Sequence, residues 1–233
     1  MNLNNKYNDI KINIGCGQIA ADGWFNLDKS PNALLAKHKI IRKIIKKLSI
    51  VPASVFEANY RSDIKIVDVH KRGLPVPDNS TSWIYCSHVI GHMSRDQALN
   101  LANECLRALK PGGRLRIVTP NLRDVAVSWL EKIDAYLKKN RDYFLKYDEP
   151  DIGIGDCFVK SINLNLYNRA NLSRIQRLFD YPLQHYYDLD SLTLLLKIAG
   201  FSDVKESCFR ITSMPDIEYL EKNAESLYVE AIK

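Results

Sequence analysis

A short segment near the N-terminus, KINIGCGQIAADGWFNLD, constrains the fold more than any other part of the chain. Its alternating isoleucines predict a buried strand, and the Gly15-Cys16-Gly17 turn that follows lets a ligand approach the backbone where a Cβ would block it. Phe25 to Asp28 predicts a second strand that ends in a carboxylate, which can accept hydrogen bonds from both hydroxyls of a ribose. The segment therefore suits a ligand that contains adenosine. A plain glycine turn followed by a solvated aspartate is the alternative.

The connection between these two strands is unusually short. Only seven residues, 18–24, separate the glycine turn from Phe25, whereas parallel strands normally need a dozen or more residues to cross over. Seven extended residues reach about 23 Å, so a parallel pairing survives only if the first crossover helix is missing or shortened. A bound carboxylate would then lose the N-terminus of that helix, and backbone amides of Gly15 to Ala20 or a basic side chain would have to replace it.

Beyond this segment, predicted strands and helices alternate along the chain. Further strands are predicted at Ile64 to Val69, Trp83 to Ile90, Arg114 to Thr119, Val204 to Ile211 and in the final SLYVEAIK. Two helices are best defined. One follows a capping box formed by Ser94 and Gln97, and the other runs from Asp190 to Ala199 and ends at Gly200. Such alternation favours a mostly parallel sheet whose ligands lie beyond the carboxyl ends of the strands, and the final strand is expected to be antiparallel. Gly15, Asp28, Asp68 and Ser87 all fall at such ends.

Length and composition favour a single domain over residues 1–233, with 46% hydrophobic and 26% charged residues. We expect a basic helical insert at about 31–60 and a lid-like insert at about 121–187. No signal peptide or membrane span is recognised, which predicts a cytoplasmic protein. The five cysteines form no CxxC pair, so neither a disulfide framework nor a metal site is indicated.

The net charge of +6 is concentrated in one segment. Between Lys37 and Lys47 there are six lysines and arginines and no acid, and apolar residues recur at helical spacing through the same stretch. The favoured interpretation is an ordinary docking helix with a solvated basic face. The alternative is peripheral contact with an anionic membrane or an anionic substrate. Nucleic acid is disfavoured because no aromatic residues lie between the basic ones.

Several motifs together resemble the class I S-adenosylmethionine-dependent methyltransferases. They are INIGCG, Asp28, VDVHKRGLPVPDNSTSWIYCSHVIGHM, LKPGGRLRIVTP, LLLKIAGFSDV and SLYVEAIK. The similarity is closest to a bacterial type 11-like group, some of whose members are linked to surface polysaccharide synthesis. It implies a Rossmann-like α/β fold, and S-adenosylmethionine as the cofactor. A dinucleotide enzyme fits less well, because Asp28 follows Gly17 by eleven residues and a dinucleotide site expects about twenty.

The resemblance assigns cofactor-binding roles to residues that follow the first four strands. It implies that Gly15, Gly17 and the backbone of Cys16 face the methionine end, that Asp28 holds the ribose, that Asp68 and Val69 contact the adenine, and that Ser87 and His88 lie near the sulfonium. The alternatives are that Asp68 caps a turn and that His88 is an interior histidine with satisfied hydrogen bonds.

The expected reaction is transfer of a methyl group to an O or N atom of a small-molecule or glycan-like acceptor. His88 and His185 are the candidate catalytic bases, because imidazole titrates near neutral pH, whereas His92 is interpreted as a helix-entry residue. Related sequences often carry acids where this chain has Gly91 and Asn121. A noncatalytic S-adenosylmethionine-binding or scaffold protein is therefore kept as an alternative. A nucleic-acid methyltransferase that uses the Lys37 to Lys47 patch on phosphates is kept as another.

Overall fold

The computed structural model describes residues 9–48, 54–57, 59–139, 183–222 and 224–233. Within them, one seven-stranded sheet has the order β3-β2-β1-β4-β5-β7-β6. All pairings among β1 to β5 are parallel, and β7 lies antiparallel between β5 and β6. The predicted Rossmann-like, mostly parallel sheet with an antiparallel C-terminal strand is confirmed. The strands are β1 Ile10–Ile14, β2 Phe25–Asp28, β3 Lys65–Ile66, β4 Thr81–Ser87, β5 Leu109–Thr119, β6 Asp203–Ser207 and β7 Leu227–Ile232.

Helices flank this sheet in the described part of the chain. They are α1 Pro31–Lys37, α2 Lys39–Lys47, α3 Ser54–Glu57, α4 Val69–Arg72, α5 Arg95–Ala108, α6 Leu122–Lys139, α7 Leu189–Ala199 and α8 Ile217–Leu220. The predicted capping box at the start of α5 is present, with Ser94 and Gln97 bonding reciprocally. α7 packs against α5 and ends at Gly200, whose φ of 105° is the left-handed conformation expected of a glycine at this position.

The connection between β1 and β2 contains no helix, as its length predicts. Two buried asparagines hold it instead. Asn13 of β1 donates to the carbonyl of Ile19, and Asn26 of β2 both donates to the carbonyl and accepts from the amide of Ala21. These side chains satisfy loop backbone groups that a crossover helix would have satisfied within itself.

The third strand is shorter than the sequence predicts. Only Lys65–Ile66 pairs with β2, and the chain then turns at Asp68, whose carbonyl accepts from the amides of Lys71 and Arg72. Val69 therefore begins α4 and does not end a strand. The fourth strand likewise begins two residues earlier than expected and ends at Ser87, so that His88 lies just beyond it.

The basic segment also differs from its prediction. It forms two helices, because His38 leaves helical geometry with φ −110° and ψ 71°. Most of its apolar positions are exposed, with exposed fractions of 48% at Ile41 and 61% at Leu48, whereas Ile45 is partly buried. The basic face of α2 is solvated as expected, but most of its apolar stripe is not docked.

The main hydrophobic core lies between the sheet and helices α5 and α7. On the sheet, Arg116 of β5 is fully buried and donates to Glu221 at 2.6 Å and to Glu230 at 2.9 Å.

The proposed lid at 121–187 falls mostly on residues 140–182, which lie outside the described part. No helix among the described residues is both long and apolar enough to cross a membrane.

Candidate functional site

A cavity of about 270 Å³ lies at the carboxyl ends of the first strands of the sheet. Six of the residues that the sequence assigns to the site line it, namely Gly15, Gly17, Asp28, Val69, Ser87 and His88. Three others, Cys16, Asp68 and His185, do not. The topology of the parallel sheet thus brings together residues up to 73 positions apart in the sequence, as expected of a site beyond strand ends.

Asp28 fixes the geometry of the glycine loop. Its side chain is buried at the end of β2, where Oδ2 accepts from the amide of Gly17 at 2.8 Å and Oδ1 accepts from the amide of Ser30 at 2.6 Å. Each carboxylate oxygen has a second lone pair that can accept from a ligand hydroxyl. The same side chain can therefore order the loop and bind a diol.

Gly15 and Gly17 adopt positive φ values of 64° and 51°. A Cβ built on Gly15 would overlap Cγ2 of Val89, whereas one on Gly17 would meet nothing within 4 Å. Glycine at position 15 is thus needed for both conformation and space, and at position 17 for conformation alone. The resulting backbone is open to the cavity.

Cys16 faces away from this cavity. Its side chain is buried in a small cluster with Ala20 and Ala33, and its amide donates to the carbonyl of Leu27 at 3.1 Å. Burial, and secondarily the charge of Asp28, raise the pKa of the thiol to about 12. The thiol is therefore protonated near neutral pH, and the expected backbone role of Cys16 stays a prediction.

Asp68 is the N-cap residue of α4 and lies between two cavity-lining residues, Val67 and Val69. Its Oδ1 is buried and has no hydrogen-bond partner among the described residues. The Nδ1 atom of His70 is 2.6 Å away, but the pair lacks hydrogen-bond geometry, and burial lowers the pKa of His70 in spite of this carboxylate. Nζ of Lys29 lies 3.7 Å from Oδ1, so the carboxylate is ion-paired although this atom accepts no hydrogen bond in the described structure.

Two histidines line the cavity beyond β4. His88 has a strained φ of 53°, and its amide donates to the carbonyl of Val118 at 2.8 Å. Burial, and secondarily the neighbouring His92, lower the pKa of His88. Its imidazole is therefore neutral near pH 7 and able to accept a proton.

Little space for a side chain remains at Gly91, where related sequences often carry an acid. A Cβ at this position would lie 2.7 Å from Cδ2 of Leu183 and 3.3 Å from the carbonyl of His185. The Gly91 carbonyl accepts from the amides of Gln184 and His185, at 2.7 and 3.1 Å. The returning segment 183–185 thus occupies the space that a larger side chain would need.

Two cavity-lining residues, Ser30 and Tyr60, were missed from the sequence. The hydroxyls of Thr119 and Tyr187 are buried without a hydrogen-bond partner in the described structure, but neither residue lines the cavity. The Ser30-Pro31 pair is a readable helix start, since Ser30 caps α1. For Tyr60, Thr119 and Tyr187 the sequence carries no local signal, because tertiary packing brings them to these positions.

This strand order, with a glycine loop and a carboxylate at the ends of β1 and β2, is the Rossmann-like arrangement expected of a class I methyltransferase sheet. Residues 13–117 match a type 11 methyltransferase family described as "Methyltransferase domain", over somewhat less than half of the chain. The matched residues begin at the end of β1 and contain β2 to β4, α5 and most of β5. Residues 13–117 are therefore similar to a methyltransferase domain.

The chain is also similar to an uncharacterized methyltransferase of Schizosaccharomyces pombe, with 34% identity over 68 residues. The match covers 29% of this chain and 26% of that protein. Among solved structures, a SAM-dependent methyltransferase from Methanosarcina mazei has 15% identity and a TM-score of 0.48, over 100% of this chain and 97% of that one. One from Archaeoglobus fulgidus has 14% identity and a TM-score of 0.43, over 98% and 87%.

Proposed function

We propose that the protein transfers a methyl group from S-adenosylmethionine to an O or N atom of a small-molecule or glycan-like acceptor. The observation that carries the proposal is the cavity at the strand ends, where Asp28 and the Gly15–Gly17 loop meet. S-adenosylmethionine is the methyl donor, and the methyltransferase match over residues 13–117 supports this assignment.

The residues present fit this cofactor on three counts. Asp28 is a buried carboxylate with lone pairs available to the ribose hydroxyls. Oδ1 of Asp68 is ion-paired with Lys29 but accepts no hydrogen bond in the described structure, and the flanking Val67 and Val69 have apolar side chains that suit the faces of an adenine ring. The glycine loop leaves backbone exposed where the methionine portion would lie.

The bound cofactor supplies a methyl group that its sulfonium charge has already activated for in-line displacement. The chain's own residues align the acceptor, exclude water and take up the proton that an O–H or N–H acceptor loses. His88 is the first candidate for that proton, since it lines the cavity with a lowered pKa. His185 remains a second candidate, held beside Gly91 by its backbone amide.

The acceptor class rests on the resemblance to bacterial enzymes linked to surface polysaccharide synthesis. A cytoplasmic location belongs to the same proposal. It agrees with the free state of Cys16, Cys86, Cys105 and Cys208, which suits a reducing compartment.

A noncatalytic S-adenosylmethionine-binding protein is the second candidate, and Gly91 favours it. The packing of Leu183 against Gly91 leaves no room for the carboxylate that related sequences carry there. Donor binding without transfer to any acceptor would distinguish this protein from an enzyme.

Calorimetry with S-adenosylmethionine and S-adenosylhomocysteine tests the shared part of both candidates. We expect wild type to bind both, Asp28→Ala to lose at least about tenfold in affinity, and the exposed control Asp190→Ala to bind normally. No binding by wild type would overturn the proposal. Incubating the bound protein with methyl-labelled donor and an acceptor panel then separates an enzyme from a scaffold.

A further inference from the structure

Helix α2 exposes an apolar face that is unusual for a surface helix. Ile40 is 77% exposed and Ile44 is 53% exposed, and Ile41 and Leu48 are also largely exposed. At 100° per residue, these four positions fall within an arc of about 100°. The helix thus presents a continuous apolar strip that nothing in the described structure covers.

A basic strip lies beside this apolar one. Lys43, Lys46 and Lys47 are exposed and fall together on the neighbouring arc of the helix. The inward side is formed by Arg42 and Ile45, which are both partly buried, and Arg42 donates to the carbonyl of Phe56 at 2.7 Å. The helix is therefore attached by one side and faces outward with isoleucines and lysines next to each other.

We propose that α2 docks the protein onto an anionic lipid bilayer. A flat interface can accept the isoleucines among its acyl chains while the lysines extend to anionic headgroups. No acidic residue occurs between Lys37 and Lys47, so every charge on the segment attracts the same surface. The inference does not depend on the proposed methyl transfer.

Charge argues against other occupants of this face. A second copy would bring the same cluster of cations against the first, which is repulsive. A nucleic acid would attract the lysines but would leave four exposed apolar side chains in water. An anionic bilayer is the partner that uses both strips at once.

The position of α2 brings such a surface close to the cavity. Ser30 lines the cavity and also caps α1, which leads through His38 directly into α2. Docking through α2 would therefore hold the rim of the cavity near the membrane.

Flotation of the full chain with vesicles tests the proposal. We expect wild type to float with phosphatidylcholine–phosphatidylglycerol vesicles, and not with phosphatidylcholine alone. Lys43→Glu/Lys46→Glu and Ile40→Glu/Ile44→Glu should each lower the partition coefficient by more than about tenfold. Because all four side chains are exposed, we expect the variants to fold, and circular dichroism checks this.

Matched controls lie elsewhere on the described surface. Leu194→Glu/Ile198→Glu changes an equally spaced exposed apolar pair on α7, with exposed fractions of 52% and 56%. Lys205→Glu/Lys222→Glu reverses two exposed lysines outside α2, one on β6 and one just after α8. Both controls should bind vesicles as wild type does.

Three results would overturn the inference. The first is absence of wild-type binding to anionic vesicles, and the second is unchanged binding of both α2 variants. The third is self-association of wild type in sedimentation velocity that Ile40→Glu/Ile44→Glu abolishes, which would assign the apolar strip to a second copy.

Discussion

Oδ2 of Asp28 accepts a hydrogen bond from the amide of Gly17 at 2.8 Å, which joins the end of β2 to the loop after β1. The other oxygen accepts from the amide of Ser30, so one carboxylate orders both sides of the cavity. Changes at this side chain should therefore affect loop order and ligand affinity together.

For Asp28→Asn, we expect weaker binding of S-adenosylhomocysteine and lower stability, because the amide nitrogen of asparagine cannot accept from a backbone N–H. Loss of one charge-assisted hydrogen bond costs about 1.5–3 kcal/mol. Calorimetry and urea denaturation measure the two effects. Asp190→Asn, which changes an exposed carboxylate in the first turn of α7, serves as the control: it should leave binding unchanged and cost less than about 1 kcal/mol of stability.

Gly15→Ala should be more damaging than Gly17→Ala, although both positions have positive φ. A methyl group at position 17 faces open space, so alanine there lowers stability only through backbone strain, by about 1–2 kcal/mol. A methyl group at position 15 also overlaps Val89. Urea denaturation compares the two variants. Adding Val89→Ala should restore part of the loss at Gly15 and none at Gly17; equal effects at both glycines would contradict the contact.

The pH dependence of turnover should identify the proton acceptor. Because the pKa of His88 is lowered, a rate that needs its neutral imidazole is retained at pH 7 and falls only below about pH 6.5. His88→Asn keeps a residue that tolerates positive φ, and it should remove this acidic limb. His92→Asn should move the limb to higher pH, since the neighbouring His92 contributes to the lowered pKa. An unchanged limb in both variants would argue against His88 as the proton acceptor.

Gly91→Ala should destabilise the protein by about 1–3 kcal/mol, because the new methyl group meets Leu183 and the carbonyl of His185. Gly91→Glu should cost more and should not raise activity. Leu183→Ala removes the nearer contact, and in combination with Gly91→Ala it should recover most of the stability. Thermal unfolding of the single and double variants measures this coupling.

Arg116→Met should destabilise the fold by about 3–5 kcal/mol, since it leaves the buried Glu221 without its cation. Arg114→Met, on the same strand, is the matched control. Arg114 is 37% exposed and lies 3.5 Å from Glu230, so its loss should cost less than about 1 kcal/mol. Similar losses from the two substitutions in urea denaturation would argue against the buried ion pair.

The parts of the fold that sequence predicts correctly are set by nearby residues. The β1–β2 pair, the missing crossover helix and the capping box of α5 each depend on spacing within about twenty positions. Asp28 could be assigned to the site for the same reason, because it ends a strand that follows the glycine turn closely.

The parts that sequence does not predict depend on distant contacts. β3 ends early because the Asp68 carbonyl starts α4, and Gly91 is crowded by a segment 92 positions further along the chain. The apolar positions of α2 gave the pattern of a docked helix, yet periodicity alone does not say whether anything covers them.

The short β1–β2 connection has a consequence for how the site assembles. Gly15 and Asp28 lie close in the sequence, so bringing them together costs little loop-closure entropy. In most parallel sheets a long crossover must be ordered before neighbouring strands can pair. Here the glycine loop and Asp28 can come together early in folding, before the more distant strands of the sheet are in place.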